Sequence, residues 1–158
     1  MGYLREATMA DMDLLYEWAN EISVRQNSFS ESRISYEEHK KWFGKMMLQK
    51  DNRQYIYIAD REPAGQIRVK VCGELAEIGY SICEEKRHRG CGRELAGLAK
   101  KQIELDFPQI TKIIAKVKPG NIPSQKVFLD TGFLETYRCF EFRIRRNEKK
   151  ETQKQPDI

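Results

Sequence analysis

The stretch "KRHRGCGREL", Lys86 to Leu95, gathers four basic side chains and two glycines into ten positions. Upstream of it, "ELAEIGYSIC" alternates as a strand; downstream, Gly92 to about Asp106 reads as a long helix that ends near Pro108. The stretch is therefore a turn from a strand into a helix. A helix N-terminus exposes unpaired N–H groups and partial positive charge, which favours phosphate. Glycines at 90 and 92 allow close approach of a ligand to the backbone, and the arginines and lysine add charge. Three readings compete for this turn: a nucleic-acid patch, an ordinary solvated turn, or a seat for a polyanionic ligand.

Two common nucleotide motifs fail here. The Walker pattern needs Gly-Lys-Ser/Thr, and the dinucleotide fingerprint needs a glycine where this chain has Leu95. The bulk numbers narrow the choice further. A chain of 158 residues is about the size of one domain. With 40% hydrophobic and 33% charged residues it is expected to be soluble and globular. No run approaches the roughly 20 apolar residues of a membrane span. The first residues have no apolar signal core, which leads to a cytoplasmic expectation. Cys72, Cys83, Cys91 and Cys139 are scattered without a C-x-x-C pair, and there are two histidines, His39 and His88. That supply suits reduced thiols and no metal centre. A net charge of +4 is mildly basic and too weak to imply DNA binding.

Outward from the turn, the chain reads β-α-α-β-β-β-α-β-α-β. "YLREAT" opens as a strand, and Thr8 caps a helix over "MADMDLLYEWAN". "EISVRQNSFSESRI" reads as irregular. Ser35 and Glu38 form a capping box for "YEEHKKWFGKMML". "QYIYIAD", "QIRVKVC" and "ELAEIGYSIC" read as an antiparallel meander, with "REPAG" and Gly73 as its turns. "KIIAKV" is a buried-type strand, "PSQKVFLDTG" a helix stopped by Gly132, and "FLETYRCFEFRIRR" a last alternating strand. The fold class expected is α/β (α+β) with a mixed central sheet. Residues 1–146 are expected to form a single domain and 147–158 a disordered charged tail.

Two motifs carry a resemblance. Arg87-x-x-Gly90-x-Gly92, with Leu95 following, resembles the pyrophosphate signature of GNAT-type acyl-CoA N-acetyltransferases. Asn121-x-x-Ser124-x-x-x-Phe128-x-x-x-Gly132-Phe133 resembles that family's "N-x-x-S-x-x-x-Y-x-x-x-G-F" element. The resemblance runs over roughly residues 3 to 142, in the family's element order. It implies the GNAT fold and acetyl-CoA as acyl donor. Backbone groups of Tyr80, Ser81 and Ile82 are then expected to pair with the pantetheine arm like an added strand. Arg87 and the N–H groups of His88, Arg89, Gly90, Cys91, Gly92 and Arg93 are expected to hold the pyrophosphate. Asn121, with Ser124 and Phe128 on the same element, is expected near the thiol end.

Acetyl transfer to an amine needs a neutral amine, a polarised carbonyl and a proton for the leaving thiolate. Many family members carry a tyrosine, the thiolate's acid, where this chain has Phe128. A glutamate that some members place late in the fifth strand falls here at Lys116. Glu77, on the strand leading into the glycine turn, is the candidate base; its alternative is a cross-strand partner for Lys or Arg. Tyr137 and Tyr80 are candidate acids, with ordinary half-buried aromatics as the alternative, and water could serve instead. His39 reads as a surface or capping residue.

On the acceptor side, Trp18, Asn20, Val24, Arg25, Ile34, Glu38, His39, Trp42 and Phe43 resemble the entry half of bacterial aminosugar N-acetyltransferases of the pseudaminic-acid type. That resemblance implies a nucleotide-linked amino-dideoxy sugar as acceptor, in surface-glycan biosynthesis, by direct attack in a ternary complex. Arg25 would meet phosphate and Trp42 would stack on a ring, with core packing as the alternative for the tryptophans. Three other functions stand beside it: a ribosomal-protein type N-terminal acetyltransferase, a non-catalytic acyl-CoA-binding module, and an RNA-binding domain. The last lacks an aromatic-basic stacking pattern. The expected partner is a small-molecule amine, with no nucleic acid and no membrane, and the expected state is a monomer or homodimer.

Overall fold

The computed structural model describes residues 1–144. Five strands form one sheet in the order β1-β2-β3-β4-β5. They are β1 (Tyr3–Glu6), β2 (Asn52–Ala59), β3 (Glu62–Cys72), β4 (Leu75–Ile82) and β5 (Lys112–Ala115). The first four pair antiparallel, and β4 with β5 is parallel. A parallel pair needs a crossover, which α4 (Cys91–Asp106) supplies. The other helices are α1 (Met12–Ala19), α2 (Ile22–Asn27), α3 (Tyr36–Met47) and α5 (Ile122–Asp130).

Alternation along the strands decides which helices cover which face. Tyr55, Tyr57, Ile67, Val69, Ala76 and Ile78 point to one side, where Leu95, Ala99 and Ile103 of α4 and Phe128 of α5 close the larger core. Ile56 and Ile58 point the other way, against Leu15, Phe43 and Met46 of α1 and α3. Cutting Leu95 or Ile103, both fully buried, to alanine would cost about 2–5 kcal/mol. The second core lies under β1 and β2 only. On that same face, the β3–β4 half carries Gln66, Arg68, Lys70, Glu77, Gly79 and Ser81, and these positions make a polar face beside α3, hereafter the cleft, where Arg68 meets Trp42.

Local chemistry explains the boundaries. Ser35 Oγ accepts from Glu38 N at 3.3 Å while Glu38 Oε2 accepts from Ser35 N at 2.9 Å, so the capping box opens α3. Asp60 and Arg61, both at positive φ, make the two-residue turn between β2 and β3. The strand after that turn therefore begins at Glu62, inside the stretch expected as a turn.

Three expectations are corrected. Residues 22–27 are helical, not irregular, because Arg25 gathers the carbonyls of the following loop. His39 is buried, its Nε2 3.0 Å from the Met12 carbonyl and its ring stacked on Phe43; it joins α3 to α1. The last strand expected over 133–146 is not formed across 133–144. Alternation shows that a segment would suit a half-buried ladder, but a ladder needs a neighbour. Phe133 packs on Phe128 with ring centroids 5.0 Å apart, and beyond it Phe140 and Phe142 are exposed. The expected charged tail, 147–158, lies outside the described residues.

Candidate active site

The parallel pairing of β4 with β5 stops at Ile78↔Ala115, while β4 continues to Ile82. From Gly79 to Ile82, β4 is paired with β3 alone among the described residues. The two central strands thus part in a notch where β4 has no partner strand on one side, and there the Ile82 carbonyl accepts from Arg87 Nε. An extended chain of amides can use such an edge as a partner strand would.

The notch leads to the glycine turn. His88 has φ 59° and Gly90, the N-cap of α4, has φ 81°. Two left-handed residues in three coil the backbone so that the first turn of α4 is presented N–H outward. Gly92 answers a close approach: an added Cβ would sit 3.2 Å from Val127 Cγ2 of α5 and 3.5 Å from the Tyr80 hydroxyl.

The basic side chains divide into two groups. Arg87 donates from Nε to the Ile82 carbonyl at 2.9 Å, from Nη1 to Ser23 Oγ at 2.9 Å and from Nη2 to Glu21 Oε2 at 2.8 Å. These contacts tie the Arg87 side chain to β4 and to the start of α2. Lys86 pairs with Asp60 at 2.8 Å, and Arg93 pairs with Asp130. Arg89 and His88 are exposed and make no side-chain hydrogen bond among the described residues.

On the far side of the notch, Asn121 Oδ1 accepts from Ser124 N at 3.3 Å and caps α5. Phe128 is buried and lies edge-on to Tyr80, with ring centroids 5.6 Å apart. Burial pushes the Tyr80 phenol above its ordinary value, and the adjacent Ser124 hydroxyl opposes this.

In the open cleft, Glu77 is half-buried and its Oε2 lies 3.2 Å from Lys116 Nζ. The cross-strand partner weighed in the sequence thus exists, and it is the residue that stands where some relatives carry glutamate. Gln54 Nε2 donates to Gln66 Oε1 at 3.0 Å, and Gln66 Nε2 donates to Ser81 Oγ at 3.1 Å, a relay across three strands. Trp42 is 39% exposed, so it is a cleft wall and not core, and the Arg68 guanidinium stands 5.3 Å above its ring. Arg25 donates to the carbonyls of Ala19, Ser30 and Ser32 and to Ser28 Oγ. It shapes the loop over α2 and lines a surface cavity of ≈ 450 Å³ with Asn20, Ile22, Gln26, Glu31 and Arg33. Tyr137 is exposed beyond Gly132 and makes no hydrogen bond to these groups among the described residues.

Sequence reading missed Arg68, Glu21 and the glutamine relay. Gln66, Arg68 and Lys70 alternate with Ile67 and Val69, which marks a common face, and the strand register sets Gln54 and Glu77 on it. Which half of that face the helices leave open is a tertiary fact.

The sequence matches the model of the acetyltransferase (GNAT) domain family over residues 3–134. The chain belongs to the GNAT acetyltransferase family. As a GNAT N-acetyltransferase it takes acetyl-CoA as acyl donor, and the notch and the N–H-lined turn suit an extended amide arm ending in pyrophosphate. A search of curated proteins returns no match. Among solved structures, the chain is similar to a spermidine N-acetyltransferase from Vibrio cholerae in complex with CoA and spermine. That pair has a TM-score of 0.79 at 19% identity over 91% of this chain and 88% of the other. An aminoglycoside acetyltransferase in complex with ribostamycin and coenzyme A gives a TM-score of 0.76 at 20% identity, covering 85% and 84%. A domain from Methanocaldococcus jannaschii gives 0.77 at 22%, covering 89% and 93%. At these identities the likeness is one of fold. No helix among the described residues is long and apolar enough to cross a membrane, and no cluster there could hold a metal ion.

Proposed function

We propose that this GNAT enzyme acetylates the amino group of a nucleotide-linked amino-dideoxy sugar in the cytoplasm, by direct attack in a ternary complex. The observation that carries the reading is the charge gathered on this face. Arg68 and Lys70 lie on it beside Glu77, which Lys116 already pairs. The aminoglycoside and spermine bound by the structural neighbours are polycations. A basic cleft repels such acceptors and attracts an acceptor that carries phosphate.

In this reading, the backbone of Tyr80, Ser81 and Ile82 and the N–H groups from His88 to Arg93 hold the donor. Asn121 and Ser124 border its thiol end, and Phe128 gives that end an apolar wall. Glu77 takes a proton from the acceptor's ammonium group, directly or through one water, and the neutral amine then attacks the thioester carbonyl. Water returns a proton to the thiolate, because Phe128 has no hydroxyl and Tyr137 is exposed. The test is turnover of acetyl-CoA with nucleotide-linked amino sugars against peptides and polyamines. Turnover on peptides alone would move the protein to N-terminal acetylation, and donor binding without turnover on any amine would favour the non-catalytic module.

A further inference from the structure

We infer that Arg68 and Trp42 form an anion seat in the cleft that selects an acceptor carrying a phosphate group, an inference resting on the reading of this cleft as the acceptor side. Arg68 lies on β3 directly opposite Gly79 of β4. Gly79 has no side chain, and an added Cβ there would meet nothing within 4 Å. The space beside the guanidinium is therefore open above the strand that forms the notch. Trp42 holds the guanidinium from one side at 5.3 Å, and Arg68 makes no hydrogen bond among the described residues. A cation resting on an aromatic face is oriented in advance, so less freedom is lost when it takes up a partner.

The neighbouring arginines differ. Arg25 and Arg87 are spent on carbonyls, hydroxyls and Glu21. The charged groups that act on Arg68 are Glu77 and Arg25, with opposite sign. Lys116 takes the closest contact of Glu77, and Lys70 follows Arg68 on the same face. The balance around the fork is positive, which suits a doubly charged phosphate oxygen cluster that planar guanidinium donors can meet in pairs.

Calorimetric titration of UDP into the full-length protein saturated with CoA tests this, since CoA fills the pyrophosphate turn. UDP is expected to bind, and Arg68→Gln to weaken it by about tenfold or more while CoA affinity stays unchanged. Arg68→Lys should recover part of the loss. Glucuronate, a sugar acid without phosphate, separates carboxylate from phosphate as the source of the charge. On the unaltered protein, UDP should also slow phenylglyoxal modification of Arg68, read by mass spectrometry. No UDP binding, equal binding by Arg68→Gln, binding of glucuronate alone, or unprotected Arg68 would each overturn the inference. UDP binding through Arg68 without acetylation of any nucleotide sugar would uphold the seat and refute the proposed substrate.

Discussion

Arg87 of the glycine turn reaches Glu21 at 2.6 Å, joining the start of the cofactor loop to the start of α2. One ion pair thus ties the glycine turn to the start of α2, and Arg87 also donates to the Ile82 carbonyl and to Ser23 Oγ. Glu21→Gln tests whether Arg87 positions the loop or binds pyrophosphate itself. As a positioning residue it is expected to lose affinity for acetyl-CoA when Glu21 is neutralised, by about tenfold for a weakened charge-assisted contact. Equal or tighter binding in Glu21→Gln, measured by calorimetry, would make Arg87 a direct ligand.

Glu77→Gln is expected to lower kcat by about 10²–10⁴-fold, the range for loss of a general base. The dissociation constant of acetyl-CoA should stay unchanged, because Glu77 faces the cleft and not the turn. A variant with normal kcat would leave Glu77 as nothing more than the partner of Lys116.

Residues 134–144 give a separate check. Phe140 and Phe142 are exposed at 93% and 89% and Tyr137 at 68%. Replacing Phe140 and Phe142 together by Asp should change folding stability by no more than about 0.5 kcal/mol per site, and Tyr137→Phe should leave kcat unchanged. A large fall in Tm, or in kcat, would place this segment against the sheet and Tyr137 in the chemistry.

Acid should weaken the fold in two steps. Burial holds the His39 imidazole below its ordinary 6.5, with the Met12 carbonyl opposing. Its contribution is complete above about pH 6.5 and is lost as pH falls below that, since the unfolded chain binds the proton first. Asp11 is buried, accepts from Arg5 at 2.7 and 2.8 Å, and is held below 3.8 chiefly by that contact. Its contribution is complete above about pH 4 and fades below it. Urea titrations between pH 7 and 3 should show both slopes, and His39→Leu should remove the upper one. A flat profile from pH 7 to 5 in the unaltered protein would contradict the buried, neutral His39.

The sequence revealed most where chemistry is local. The glycine turn, the Ser35 cap and the meander follow from neighbours a few residues away, and their boundaries fall within a few residues of the structure's. What it hid depends on residues brought from afar. Arg87 had the composition of an anion ligand, and nothing near it announced its pairing with Glu21, 66 positions earlier. Arg68 was one charged residue in an alternating strand until α3 set Trp42 beneath it. His39 had the helical position of a surface residue until α1 covered it. The final alternating run had the pattern of a strand without the neighbour that makes one.

The most direct measurement is thiol release from acetyl-CoA, detected with DTNB, against UDP-linked amino-dideoxy sugars, the same amino sugars without the nucleotide, spermidine and N-terminal peptides. Turnover on the UDP-linked sugars, falling sharply when the nucleotide is removed, is the predicted result. Faster turnover on spermidine or peptides than on any nucleotide sugar would contradict the reading of the basic cleft as a seat for a phosphate-bearing acceptor.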